Sequence, residues 1–369
     1  MEPVLFSTLA SSNGQQIGIA TLNAEASLNA LSLDMVHALS QQLLRWQHDD
    51  TIACVWLDSV GEKAFCAGGD VRAMYQVQSQ QPGKICQAVV DFFEAEYRLD
   101  YQIHTYGKPI IVWGDGIVMG GGLGLMMGAS HRIATERSRI AMPEVTIGLY
   151  PDVGGSYFLS RMQGKLGLFL GLTAYNLNAA DAHYCGIANH FLASSEKQRL
   201  LHTLTAVPWG RNASLNQQKL HDLLADLTLT TSEHIGKSRL KANQALIDKL
   251  MAGTLPEIVA RMQQLHTEES WLQQAQRTML AGSPQSWSLA YAQCQLGAEM
   301  SLAECFQFEL GVSVNCAAIG DFCEGVRALL VDKDKQPRWA FGAQNLPSSE
   351  QLHALLASPF FHHHPLARL

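Results

Sequence analysis

Up to about residue 142, apolar positions follow two rhythms in alternation. Gln16-Ile-Gly-Ile-Ala-Thr-Leu22 reads as a short strand, and Ile52-Ala-Cys-Val-Trp-Leu57 is apolar throughout, as in a strand buried on both faces. Between them, Ser32 to Trp46 carries apolar residues at helical spacing, with Ser32 placed to cap the first turn. A loop is predicted over Gly61 to Asp70, a helix from about Asp91 to Ile103, and a strand over Pro109 to Trp113. The cluster Met119-Gly-Gly-Gly-Leu-Gly-Leu-Met-Met-Gly128 opens another helix, and Ser138 to Met142 forms another strand. Strands alternating with helices predict the α/β fold class.

The second half differs. From about Ser214, polar helix-forming stretches dominate, such as Leu215 to Leu227 and Glu257 to Met279. Pro208-Trp-Gly-Arg-Asn-Ala-Ser214 separates the two regimes, so the chain divides into 1–207 and a mainly helical region, 208–369. There is no internal repeat and no low-complexity segment.

Composition narrows the class. The chain has 369 residues, 47% apolar and 16% charged, which is a folded chain with a large core. Net charge is −7 with scattered basic residues, so neither nucleic acid nor an anionic membrane is an expected partner. No stretch reaches the roughly 18 apolar residues of a membrane span. Met1-Glu-Pro-Val-Leu-Phe-Ser7 lacks the look of a signal or transit peptide, and a cytoplasmic location is expected. The eight cysteines form no C-x-x-C pair and read as reduced core thiols. His362-His-His364 reads as a solvated tail, and no metal is expected.

Two features carry chemistry. Gly120, Gly121 and Gly122 stand at a predicted helix start, where bare N–H groups point outward at the positive end of the dipole. Cys66-Ala-Gly-Gly-Asp70 offers another exposed amide, and two such amides make an oxyanion hole. Glu144 and Asp152 lie eight residues apart in Pro143-Glu-Val-Thr-Ile-Gly-Leu-Tyr-Pro-Asp-Val-Gly-Gly155. Beside an oxyanion hole, a buried Glu can serve as base or nucleophile, and an Asp can orient a hydroxyl. Glu96, on a helix with Phe92, Phe93 and Leu99, is a third acid of interest. Gly122-x-Gly124-x-x-x-Gly128 looks like a dinucleotide fingerprint, but its spacing is off by one and it follows about the fourth strand.

Lys63-Ala-Phe-Cys-Ala-Gly-Gly-Asp-Val-Arg72, Gly116-Ile-Val-Met-Gly-Gly-Gly122, the Pro143–Gly155 stretch and Gly186-Ile-Ala-Asn189 resemble the enoyl-CoA hydratase/isomerase (crotonase) superfamily. Phe92 to Tyr97, Asp321 to Asp334 and Pro337-Arg-Trp339 extend the likeness to its 3-hydroxyisobutyryl-CoA hydrolase branch. The resemblance implies a crotonase-like ββα spiral core over 1–207 that binds acyl-CoA, with a helical C-terminal region. It implies oxyanion amides at Gly69 and Gly121, catalysis by Glu144 and Asp152, and substrate contacts from Glu96, Gly121, Glu144 and Asp152. A loop carrying Ala64, Cys66, Gly69, Asp70 and Arg72 would hold the CoA. Hydratases place a first catalytic Glu where this chain has Gly124, and usually Gly where it has Asp152. Both departures imply hydrolysis of a short 3-hydroxyacyl-CoA, foremost 3-hydroxyisobutyryl-CoA from valine breakdown, over action on an unsaturated acyl-CoA. The resemblance further implies no cofactor beyond the CoA of the substrate, and a homo-oligomer.

Overall fold

The computed structural model describes residues 2–231, 235–360 and 363–369. The chain forms two compact units, each assembled from three stretches. Met1–Gly69, Leu99–Ile140 and Asn176–Lys241 make the first; Asp70–Arg98, Ala141–Tyr175 and Ala242–Leu369 make the second. The expected division at 207/208 falls inside the last stretch of the first unit.

The first unit is built on strands that alternate between two sheets. The strands are β1 (Val4–Ala10), β2 (Gln16–Leu22), β3 (Ile52–Ser59), β4 (Ala64–Cys66), β5 (Ile110–Gly114), β6 (Ile117–Met119), β7 (His131–Ala134), β8 (Arg139–Ala141) and β9 (His190–Phe191). One sheet has the order β1-β2-β3-β5-β7-β9 and the other β4-β6-β8. From β3 onward successive strands take alternate sheets, which is the ββα spiral expected. β1 and β2 form a hairpin, and β2-β3, β3-β5, β5-β7 and β7-β9 are parallel. β3 is buried along nearly its whole length, as its unbroken apolar run predicts. Trp56 of β3 and Trp113 of β5 stack at 5.7 Å, within a core that includes Ile17, Ile111, Ile133, Leu204, Leu220 and Leu224.

Helix α1 (Leu33–His48) starts at Ser32, whose hydroxyl accepts from the Met35 N–H at 3.2 Å. Its buried residues Met35, Val36, Leu39, Leu43 and Trp46 form one stripe. Helix α2 (Val71–Gln78) is capped by Asp70, and α3 (Gln87–His104) starts a turn earlier than its sequence pattern suggests. Helix α4 (Gly121–Gly128) follows β6 directly. The predicted helical run from Glu257 to Met279 is two helices, Leu255–Gln263 and Ser270–Ala281. The first has a capping box between Thr254 and Glu257.

All eight cysteines are free thiols. Of the tail histidines, His362 lies outside the described residues, and His364 is tied in by a 3.0 Å contact with the Gln307 carbonyl. No helix among the described residues is long and apolar enough to cross a membrane.

Candidate active site

In the first unit, parallel pairing of β4 with β6 brings together the loops that leave the same ends of both strands. One is Ala67-Gly-Gly69 and the other is Gly120-Gly121. The first loop is fixed by a bridge to Leu31, whose N–H donates to the Gly68 carbonyl at 2.8 Å. The Gly69 N–H donates to no described residue. Gly121 opens α4, so its N–H has no acceptor within the helix. The two loops touch: a Cβ on Gly68 would lie 3.5 Å from the Met119 carbonyl oxygen and 3.9 Å from the Gly121 nitrogen. At Gly122 a Cβ would lie 2.4 Å from the Cys66 carbonyl oxygen, so the crossing admits only glycine.

Ala64 and Cys66, read as loop in the sequence, are buried residues of β4. The Ala64 carbonyl accepts from Asn29 and Ser59. An open groove of about 970 Å³ in the same unit is lined by Lys63, Met119, Arg137 and Arg139 among others. Asp70 is the N-cap of α2, accepting from the Ala73 N–H at 3.1 Å, and Arg72 is exposed on that helix.

The carboxylates gather in the second unit. Glu96, Glu144 and Asp152 are 2%, 3% and 4% exposed. Glu96 comes from α3, Glu144 opens a 3-10 turn after Pro143, and Asp152 lies before the short helix Gly155–Phe158. Burial, then the charge of Asp152, holds the Glu144 carboxyl well above its usual range; Glu96 is raised by the same two causes in the same order. Burial pushes Asp152 up to about 6, against the lowering effect of a 2.6 Å hydrogen bond from the Tyr97 hydroxyl. Among the described residues, Glu144 Oε2 and Glu96 Oε1 have no hydrogen-bond partner. Three carboxyls in one dry cluster do not all ionise together, so one can act as base or nucleophile beside a neighbour that keeps its proton.

A framework invisible in the sequence holds this cluster. On helix Leu302–Ile319, Glu309 is fully buried and accepts from the Gly154 and Ser156 N–H groups, both at 2.7 Å. It thereby clamps the turn after Asp152, where Val153 is held at φ +52°, a costly backbone for a β-branched residue. One turn along that helix, Ser313 contacts the hydroxyls of Tyr97 at 2.7 Å and Tyr150 at 3.1 Å. Tyr150 also donates to the Glu309 carbonyl at 2.9 Å. The sequence signal is Glu309 and Ser313, four apart and flanked by apolar residues from Phe308 to Val314, polar groups that need buried partners.

The structure thus brings Glu96, Glu144 and Asp152 into one cluster in the second unit. In the first, it sets the Gly69 and Gly121 loops side by side. This glycine-loop spiral is the architecture of the enoyl-CoA hydratase/isomerase family. The family model of that description matches residues 17–356, and the chain belongs to the family. The 3-hydroxyisobutyryl-CoA hydrolase, mitochondrial, of Danio rerio is 40% identical over 327 residues, 87% of this chain and 82% of that protein. Its Homo sapiens counterpart is 36% identical over 327 residues, 87% and 81%. Among solved structures, an enoyl-CoA hydratase from Rhodobacter sphaeroides 2.4.1 matches with a TM-score of 0.82 and 32% identity, covering 97% of this chain and 98% of that one. A carnitinyl-CoA dehydratase from Mycobacterium thermoresistibile matches at 0.80 and 30%, with 97% of each chain covered.

The cytoplasmic location expected from the first residues is corrected by these relatives, whose names place them in mitochondria. Residues inside a folded domain answer to packing and do not report the compartment.

Proposed function

We propose that this chain hydrolyses a short 3-hydroxyacyl-CoA thioester, foremost 3-hydroxyisobutyryl-CoA of valine breakdown, to 3-hydroxyisobutyrate and CoA. The observation that carries this reading is the buried trio Glu96, Glu144 and Asp152, one acid more than an alkene hydration uses. The thioester oxygen is assigned to the N–H groups of Gly69 and Gly121, which stabilise the negative charge that builds there as the carbonyl carbon becomes tetrahedral. Glu144 attacks that carbon to give a mixed anhydride that water then opens, or it takes a proton from water that attacks directly. On either route the C–S bond breaks and CoA leaves as a thiolate that must gain a proton. Asp152 binds the 3-hydroxyl or supplies that proton, and Glu96 contacts the acyl portion. The strand and helix start from Ala64 to Arg72 is assigned to the CoA moiety. Neither route calls for a metal or redox group.

The names of the curated relatives support hydrolysis, whereas the matched structures, an enoyl-CoA hydratase and a carnitinyl-CoA dehydratase, favour hydration or its reverse. Hydration needs two acids across the alkene, and α4 carries none, with Gly124 where hydratases place one. A thiol reagent separates the two: 3-hydroxyisobutyryl-CoA should release free CoA stoichiometrically, and crotonyl-CoA should keep its enoyl absorbance. Loss of that absorbance without thiol release would establish the hydratase reading instead. The family likeness also supports self-association, which sedimentation velocity would read.

A further inference from the structure

Three histidines that the proposed reaction does not use converge in the first unit. His131 begins β7, His190 begins β9, and His221 lies on helix Ala213–Thr231. In the parallel β7-β9 ladder Ile133 pairs with His190, so His131, two residues before Ile133, shares its face with His190. Their rings stack at 5.5 Å with 9° between planes, and the His221 ring lies 5.7 Å from His190 at 62°. One ring nitrogen from each lies within 4.8 Å of the others.

The environment suits ligation. His131 and His190 are each 3% exposed, while His221 is exposed and opens the cluster to solvent. Nε2 of His190 is buried with no hydrogen-bond partner among the described residues, a desolvated lone pair or N–H with nothing to compensate it. His131 is oriented from behind. The Ser130 hydroxyl donates to the Ile110 carbonyl at 3.0 Å, which leaves its oxygen to accept from His131 Nδ1 at 3.0 Å and frees Nε2 as a lone-pair donor. Burial keeps both inner imidazoles neutral, as ligation requires. Arg132, whose charge bears on both inner histidines, donates to the carbonyls of Ala129, Gly186 and Ile187.

We propose that His131, His190 and His221 bind one divalent transition-metal cation of the zinc type, with solvent as the fourth ligand. An all-imidazole set selects such ions over magnesium or calcium. Bringing the nitrogens to the roughly 3.3 Å separation of a tetrahedral zinc site requires His221 to swing inward, as an exposed side chain can, and the His190 ring, whose Nε2 has no partner to hold it among the described residues, to turn out of its stack on His131 so that the in-plane lone pairs converge. The bound ion would staple β9, an edge strand of two residues, to β7 and to helix Ala213–Thr231. The sequence hides this site because the three ligands are tens of residues apart.

The test is a Co²⁺ titration of the full chain after chelator treatment. One equivalent should bind, with a visible d–d band, no thiolate-to-cobalt band, displacement by Zn²⁺ and a raised unfolding midpoint. His221→Ala, a change on an exposed helix face, should keep the parental circular dichroism and weaken binding by on the order of 100-fold or more. His363→Ala in the tail should titrate like the parent. Absence of saturable binding, a thiolate band, a His221→Ala variant that titrates like the parent, or loss of binding in His363→Ala would each overturn the proposal.

Discussion

Asp152→Asn should make this protein more stable at alkaline pH while impairing its activity. The Asp152 carboxyl is buried and raised from 3.8 to about 6, mainly by burial. The folded state therefore holds this proton more tightly than the unfolded chain does. As pH rises through the window from 3.8 to about 6, stability is lost, and the loss is complete above it. The full cost is about 3 kcal/mol at about 1.4 kcal/mol per pH unit. Asparagine has nearly the same shape, carries no charge, and can still accept from Tyr97, although an amide is the weaker acceptor. Relative to parent, the variant should therefore gain up to about 3 kcal/mol at pH 8 and about half that at pH 5. Urea unfolding at the two pH values reads this directly. A variant no more stable than parent at pH 8, or a gain equal at both pH values, would refute the reasoning. In the thiol-release assay a role for Asp152 in binding the 3-hydroxyl predicts that the same variant loses much of the parent's preference for 3-hydroxyisobutyryl-CoA over isobutyryl-CoA, whereas equal slowing of both substrates points to proton supply.

Glu144→Gln should lower kcat for thiol release by about 10²–10⁴-fold with circular dichroism unchanged, and a change of only a few-fold would remove Glu144 from the chemistry. Tyr97→Phe deletes the 2.6 Å donor to Asp152, so the Asp152 titration should move up from about 6 by roughly one pH unit or more, at about 1.5–3 kcal/mol for a hydrogen bond to a charged group. A pH profile of kcat/KM that stays in place or moves down contradicts this. If that limb requires ionised Asp152, activity is lost from higher pH downward; if it requires the protonated form, activity extends to higher pH. Glu309→Ala strands the buried Gly154 and Ser156 N–H groups, and chemical denaturation should show a loss of about 2–5 kcal/mol, a loss under 1 arguing against the clamp. Gly122→Ala drives a Cβ to 2.4 Å from the Cys66 carbonyl and should cut thiol release at least about 10²-fold by displacing the amide loop, whereas near-parental turnover would mean the two loops yield freely.

Much of the fold was legible locally. The apolar run of β3, the Ser32 cap of α1 and the glycine start of α4 each sit where their sequence places them. Glu96, Glu144 and Asp152 could be singled out, and the structure gathers them. What stayed hidden depends on convergence from afar. Glu309, Ser313, Tyr97 and Tyr150 look like ordinary members of apolar stretches until helix Leu302–Ile319 meets the turn at Asp152. The three residues of β4 are too few to show a period, so in the sequence they are indistinguishable from loop. The two units interleave three stretches each, which no composition shift at residue 208 could reveal.

The Glu309 clamp also bears on how the chain is born. Its carboxylate closes on Gly154, 155 residues earlier in the chain. At about 5–20 residues per second, a ribosome needs roughly 8–30 seconds to cover that interval. Throughout it, the nascent turn at Val153 lacks the partner that holds its strained backbone, and Asp152 stays wet with the acidity of an ordinary surface carboxyl. The first unit has all its residues once Lys241 is made, but the acids of the second become unusual only after Glu309 has been added.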